Sequence, residues 1–394
     1  MGARDWLAGV SGRKAYALAS LLLLAPCYWQ PRLQAGDLSN LIYNGWLSGL
    51  LEGGRAQGLE IASRWTNVLF DFILRGLFRA LGPEAAQRIS VSIAVLTFAW
   101  GAFAFVSVVS GKRAWYLMPS IAMLAYGWVF RMGFFDFYLS LGLCFWGMAV
   151  AWDPKPWRVA AALPIFLLAY FSHALPVVWM LGLLSYVSLA RPLTPKRRAL
   201  LTANFVLAMV VCNLLVAHLM FIEGALAPTA AASGVELAVF GPKYYAVLAG
   251  LAAVWGVLFA GLIRGSGARQ VVTGIPFQVC LVAASAVIAM PITLMIPGFY
   301  LALSYVGERM SLGVAVCVCA LLGAVRPRLV ERWALVAVAL AFFALVYRDQ
   351  RALNSREDQM QNVVARCGFA ASFQRSAFSD RLPPALPSEV KHAE

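Results

Sequence analysis

Five ionisable residues stand out by position: Asp37, Arg131, Asp136, His173 and Glu308 border or interrupt long apolar segments, and all fall at the same alternate set of boundaries. An ionisable group at membrane depth costs roughly 2.5 to 3.5 kcal/mol even on a lenient insertion scale, so five on one face predict a site. Their types suit transfer at a phosphate. Asp37, just ahead of an amphipathic segment, can take a proton from an acceptor hydroxyl or orient it. Arg131, in Phe130-Arg131-Met132-Gly133-Phe134-Phe135-Asp136-Phe137, can hold a phosphate while Asp136 orients it or binds a sugar hydroxyl. His173 sits in the polar break Ser172-His173-Ala174-Leu175-Pro176, which points to a cavity; Glu308-Arg309 and Arg64 complete the set. Each also has a plainer reading. Asp37 fits a helix N-cap, Arg131 with Asp136 an ion pair closing a hairpin, and His173 a satisfied core or capping residue. Glu308-Arg309 and Arg64 fit interfacial anchors, while Asn213 and His218, inside an apolar segment, fit packing polar groups.

The elements that would position these residues are helices in a membrane. Of 394 residues, 61% are hydrophobic and 13% charged, against an apolar share of about 45–50% in soluble globules. About eleven apolar segments, at 15–30, 89–110, 114–130, 137–152, 159–171, 174–190, 200–222, 244–263, 271–296, 311–325 and 333–347, are candidate spans. The expectation is an all-α, polytopic integral membrane protein. Arg4, Arg13 and Lys14 precede the first segment and no small-residue cleavage site follows it, so it reads as a retained span. The connections at 111–113, 153–158, 191–198, 264–269 and 326–332 are short and basic, which places them and the N-terminus in the cytoplasm and the C-terminus outside.

That topology makes 31–88 a long first external loop. Within it, Leu38 to Leu51 and Trp65 to Leu81 carry apolar residues at helical spacing, the pattern of helices lying in the interface plane. A further short helix is expected over Phe299 to Val306. The stretch 159–190 is too long for one span and too short for two, and breaks at His173 into a hairpin, tolerated only where protein or a wet cavity receives the freed backbone. Residues 1–350 thus form the membrane domain, and 351–394 a short polar external tail whose first part reads as a helix and whose Pro-rich end reads as disordered.

Several function classes drop out. The net charge of +14 sits in the connections and beside helix ends, where orientation and lipid headgroups account for it, and no nucleic-acid module is present. Cys317 and Cys319 have neither redox nor zinc spacing, and no P-loop, nucleophile elbow, HExxH or CxxC occurs. No internal repeat is visible.

The layout resembles the C-type glycosyltransferases, polytopic enzymes of the GT-C fold. The features in common are many spans, an Asp in a long first external loop (Gly36-Asp37), interface helices along that loop, and later external loops that supply polar residues. The stretches Gly133 to Gly142 and Tyr170 to Pro176 look like recurrent patterns of bacterial membrane proteins grouped with these enzymes. The resemblance implies a polyprenyl-phosphate-linked sugar as donor, membrane lipid as surroundings, the bacterial cytoplasmic membrane as location, and Asp37 as the base or acceptor-orienting residue. Arg64, Arg131, Asp136, His173, Glu308 and Arg309 would bind substrate. Two departures matter: the second acid often found beside the first-loop Asp is missing, which leaves a divalent metal (Mg or Mn) open as cofactor, and the external C-terminal domain is reduced to a tail. Competing classes are a non-catalytic scaffold of the same fold and a transporter or flippase for a lipid-linked substrate; the latter would place its acids near the midplane and show related halves.

Overall fold

The structure, a computed structural model, describes residues 3–55, 58, 65–219, 237–289, 293–294 and 303–366. It is all-α. The chain opens with α1 (Ala3–Tyr28), α2 (Leu38–Glu52), α3 (Leu69–Leu81), α4 (Pro83–Ser110), α5 (Met118–Ala125), α6 (Trp128–Met132) and α7 (Phe135–Ala151). It continues through α8 (Pro156–Ser172), α9 (Ala174–Ala190), α10 (Pro195–Leu219), α11 (Tyr245–Ser266), α12 (Ala268–Val272) and α13 (Ile275–Ala289), and ends on α14 (Val306–Leu322) and α15 (Leu329–Arg366). Extended structure among the described residues is one antiparallel bridge, β1 (Thr293–Leu294) with β2 (Leu303–Ser304). Among the described residues three helical stretches are long and apolar enough to cross a membrane, Pro83–Ser110, Pro242–Ser266 and Leu329–Val363; α7, α8, α9 and α13 are apolar but shorter.

The core is built where α4 meets α7. Gly142 lets the backbones touch: a Cβ there would stand 2.7 Å from the Phe98 Cα. Small residues at such a crossing are what association without a hydrophobic drive requires. Phe98 stacks on Tyr138 at 4.7 Å and Phe105 on Phe145 at 5.4 Å, so α7 is buried on nearly every side.

The apolar segment 114–130 is not one helix as expected. A 3₁₀ turn (Trp115–Leu117) and α5 end at Ala125, and α6 restarts at Trp128. The break is satisfied locally: Tyr138 Oη donates to the Ala125 carbonyl at 3.0 Å, and the Tyr126 and Gly127 N–H groups turn back onto Met123 and Leu124. The break at His173 is where the sequence places it. Of the two helices expected in the first loop, one is present as α2; the other, α3, starts at Leu69 rather than Trp65, because 66–68 meet the C-terminal carbonyls of α8. The helix expected over Phe299 to Val306 is absent in its described part: Leu303–Ser304 are extended and α14 begins at Val306. α2 and α3 are tied together by Glu52, which pairs with Arg75 at 3.2 Å and with Arg79.

The last apolar segment and the first part of the polar tail are a single helix. Beyond Tyr347 its polar residues recur at one helical face, Gln350, Asn354, Glu357/Asp358 and Gln361, and that face grips the start of the first loop. Gln350 Oε1 accepts from Trp29 Nε1 at 2.5 Å; the Asn354 amide takes the Arg32 N–H at 2.9 Å and donates to the Arg32 carbonyl at 3.2 Å. Arg32 in turn reaches Asp358 at 2.7 Å and Gln361 at 2.9 Å, and Gln34 reaches Glu357 at 2.9 Å. Asn354 is 3% exposed, and Asn354→Ala removes the partner of two part-buried backbone groups of Arg32. Thermal unfolding in detergent is expected to show a loss of about 1–3 kcal/mol, whereas Asp358→Ala, removing an exposed partner, should cost under about 1 kcal/mol.

Candidate functional site

Asp37 is held by its backbone. The Gly36 N–H donates to the Arg131 carbonyl at 2.8 Å and the Asp37 N–H to the Met132 carbonyl at 2.9 Å. Both crossings need glycine: a Cβ on Gly36 would stand 2.8 Å from the Met132 oxygen, and one on Gly133, whose φ is +80°, would stand 2.5 Å from the Asp37 nitrogen. Asp37 occupies the N-cap position of α2, yet its side chain makes no capping hydrogen bond and is exposed. The capping role that Asp37 could have filled is therefore not taken up by its carboxylate.

Asp136 has a different task from the expected one. It forms no ion pair with Arg131. Its Oδ1 accepts the Phe70 N–H at 3.1 Å, so it caps the first turn of α3 from a neighbouring helix. That turn offers unsatisfied N–H groups, and the bond to one of them places the Asp136 carboxyl at α3 rather than at Arg131. Ser172 Oγ donates to the Asp136 carbonyl at 2.8 Å, fastening α8 to the same corner. The C-terminal carbonyls of α8 are met by the first loop: Thr66 Oγ1 donates to Tyr170 at 2.8 Å, Val68 N–H to Phe171 at 3.0 Å and Asn67 N–H to Ser172 at 3.1 Å.

Arg131 lies over the Phe240 ring at 4.9 Å, with its buried Nε lacking a hydrogen-bond partner among the described residues. Arg309, one turn into α14, lies over Phe134 at 3.6 Å, and its Nε is likewise unpartnered. Phe134, Trp128 and Tyr305 form a cluster, with Tyr305 5.6 Å from Trp128 and 6.3 Å from Phe134. Tyr305 carries a φ of +59°, a left-handed backbone that a bulky residue adopts only when its surroundings impose it. Glu308, beside Arg309, has a buried Oε2 with no partner among the described residues.

His173 links α8 to α9 and belongs to neither helix. Its Nδ1 accepts the Leu175 N–H at 3.1 Å, capping α9, which fixes the neutral tautomer with the proton on Nε2. That Nε2 is buried and unpartnered among the described residues. Burial, helped by the charge of Arg309, pushes His173 down to about 3, so the ring is a neutral donor at physiological pH. The unfolded chain takes up this proton near pH 6.5 and the folded one only near 3. Stability should therefore fall as pH drops through that window, by at most roughly 1.4 kcal/mol per pH unit from this group, and His173→Gln should flatten the slope in pH-dependent thermal unfolding.

A further donor had no sequence signal beyond its residue type. Trp179, two turns into α9, is buried with its Nε1 unpartnered among the described residues, and its ring lies against Gly313 of α14, where a Cβ would be 2.7 Å from Cη2. Buried Trp N–H groups usually find a partner.

The arrangement brings Asp37, His173, Glu308 and Arg309 into one electrostatic neighbourhood: Arg309 feels Asp37, Glu308 and Tyr305, and His173 feels Arg309. Arg131 joins through the carbonyl that holds Gly36. Asp136 is turned away, and Arg64 lies outside the described residues, as do the side chains of Asn213 and His218. Among the described residues no three His, Cys, Asp or Glu side chains converge to hold a metal ion, so the open Mg or Mn finds no ligand set there. From Ser311, just past Arg309, a cavity of about 250 Å³ runs between α5, α11, α13 and α14, walled by Leu124, Leu248, Trp255, Val287 and Val318.

Fold and site together define an all-helical protein, with helices able to cross a membrane, in which two unpartnered buried donors, on Arg309 and His173, share an electrostatic neighbourhood with the exposed Asp37 carboxylate. Comparison of the chain with family models, with curated proteins and with solved structures finds no match in any of the three.

Proposed function

We propose that this protein is a membrane glycosyltransferase that moves a sugar from a polyprenyl-phosphate donor to an acceptor hydroxyl at the outer face of a bacterial cytoplasmic membrane. The apolar segments act as spans, that at 114–130 as a broken one, with the N-terminus cytoplasmic and the Asp37 end outside. One observation carries the reading: Arg309 Nε and His173 Nε2 are buried donors with no partner among the described residues, His173 feels Arg309, and Arg309 feels the exposed Asp37, while Arg131 Nε and Trp179 Nε1 are further buried donors without such a partner. Buried donors are normally satisfied. A phosphate, rich in acceptor oxygens, suits such a set, and donors already in place need no reorganisation when charge develops.

The acceptor oxygen attacks the anomeric carbon and passes its proton to the Asp37 carboxylate. The bond from that carbon to the phosphate oxygen breaks, its electron pair goes to the phosphate, and Arg309 and His173 stabilise the added charge. The apolar cavity beyond Ser311 receives hydrocarbon next to the phosphate. The test is mass spectrometry of glycolipids and surface glycans from cells with and without the protein, paired with transfer by purified protein from polyprenyl-phosphate sugars. A sugar missing from one acceptor class, with its lipid-linked precursor accumulating, is the expected result. An unchanged glycan and lipid-linked profile together with no transfer in vitro would overturn the proposal.

A further inference from the structure

Between α11 and α15 lies a groove of about 510 Å³. Its floor is made of Ala246, Ala341, Ala344 and Leu345, and its mouth of Lys243 and Arg348. From Arg348 to Val338, the deepest α15 residue in the groove, is ten residues, or about 15 Å along a helix. That is half of a hydrocarbon core about 30 Å thick. Both helices are among those long and apolar enough to cross a membrane. Ala341 and Ala344 are exposed at this face, so a row of short side chains faces whatever surrounds the bundle.

The charges at the mouth are not balanced. Lys243 pairs with Asp349, which also accepts the Tyr244 hydroxyl at 2.7 Å. Arg348 and, one turn on, Arg351 are exposed cations, and neither is in an ion pair with a described residue. At the mouth itself one acid, Asp349, stands against two bases, Lys243 and Arg348, which leaves it positive above a floor of carbon. A slot one leaflet deep, apolar along its length and cationic at the headgroup level, matches one kind of molecule in charge, polarity and size.

We propose that this groove binds an anionic glycerophospholipid of the surrounding bilayer, with its phosphate between Lys243 and Arg348 and one acyl chain along Ala341 and Ala344. The site is separate from the one around Asp37 and does not depend on the transferase reading; it rests on α11 and α15 crossing a membrane. Basic clefts between spanning helices recognise anionic headgroups by this division of labour.

The test is native mass spectrometry of detergent-purified protein offered equal amounts of phosphatidylglycerol and phosphatidylethanolamine with identical chains. Wild type should retain phosphatidylglycerol at least tenfold more. The Lys243→Gln/Arg348→Gln pair should abolish that preference, and Lys243→Arg should keep it. Ala344→Phe, which leaves every charge in place and puts a ring on an exposed position, should lower retention of both lipids at least fivefold. An equal response to the two lipids in wild type, or a preference that survives in the double Gln variant, overturns the proposal. Undiminished retention in Ala344→Phe also overturns it, since the cations would then be attracting lipid without a groove. Elution volume and unfolding temperature of each variant show that it is folded.

Discussion

Asp37→Asn should abolish sugar transfer and leave the protein otherwise as it is. A positioned general base contributes about 10² to 10⁴ in rate, so transfer from a polyprenyl-phosphate sugar by purified protein should fall by that factor while donor affinity is kept. The structure explains why the change isolates chemistry. The Asp37 side chain makes no capping bond and is exposed, and its placement comes from backbone bonds to Arg131 and Met132 that Asn retains. Unfolding free energy should then stay within about 0.5 kcal/mol of wild type, the usual range for surface changes away from caps and cores. Transfer at the wild-type rate by the folded Asp37→Asn variant would remove Asp37 from the mechanism.

Gly133→Ala should do the opposite, damaging position before chemistry. The added methyl meets the Asp37 nitrogen at 2.5 Å and forces a left-handed backbone on alanine. The conformational part costs about 1–2 kcal/mol and the clash about 1–3 kcal/mol more. Gly111→Ala is the matched control: Gly111 has a φ of +69° with open space around its Cα, so it bears the first part alone. Unfolding of the two variants side by side should show Gly133→Ala as the more damaging. Transfer by the surviving folded fraction should drop about a hundredfold, as expected for a catalytic group displaced by an ångström or so. Equal losses in the two variants would mean that the Gly36–Asp37 segment does not depend on that close approach.

What the sequence made legible follows from what it encodes directly. Hydrophobic runs give the apolar helices, and the polar break at His173 sits between α8 and α9 as expected. Scarce charges at alternate boundaries bring Asp37, His173, Glu308 and Arg309 to one end. Rotation about each helix axis is not written in such a pattern. Arg131 and Asp136 are five residues apart, yet one faces Phe240 and the other the start of α3. That choice is made by the packing of α3, α6 and α7, whose contacts are non-local. The Tyr126–Gly127 interruption was hidden because its freed carbonyl is answered by Tyr138, in another helix. Trp179 looked like any apolar residue of a span, since a stranded N–H can be recognised only once its neighbours are known.

The join between apolar segment and polar tail carries a mechanical consequence. Residues 329–366 form an unbroken helix, a rod about 57 Å long at 1.5 Å per residue. Its far part holds Trp29, Arg32 and Gln34, a few residues from Asp37. A rod of that length is a lever: a 5° tilt about its Leu329 end sweeps the other by about 5 Å. One continuous helix thereby joins the connection before α15 to the stretch of chain that presents the carboxylate.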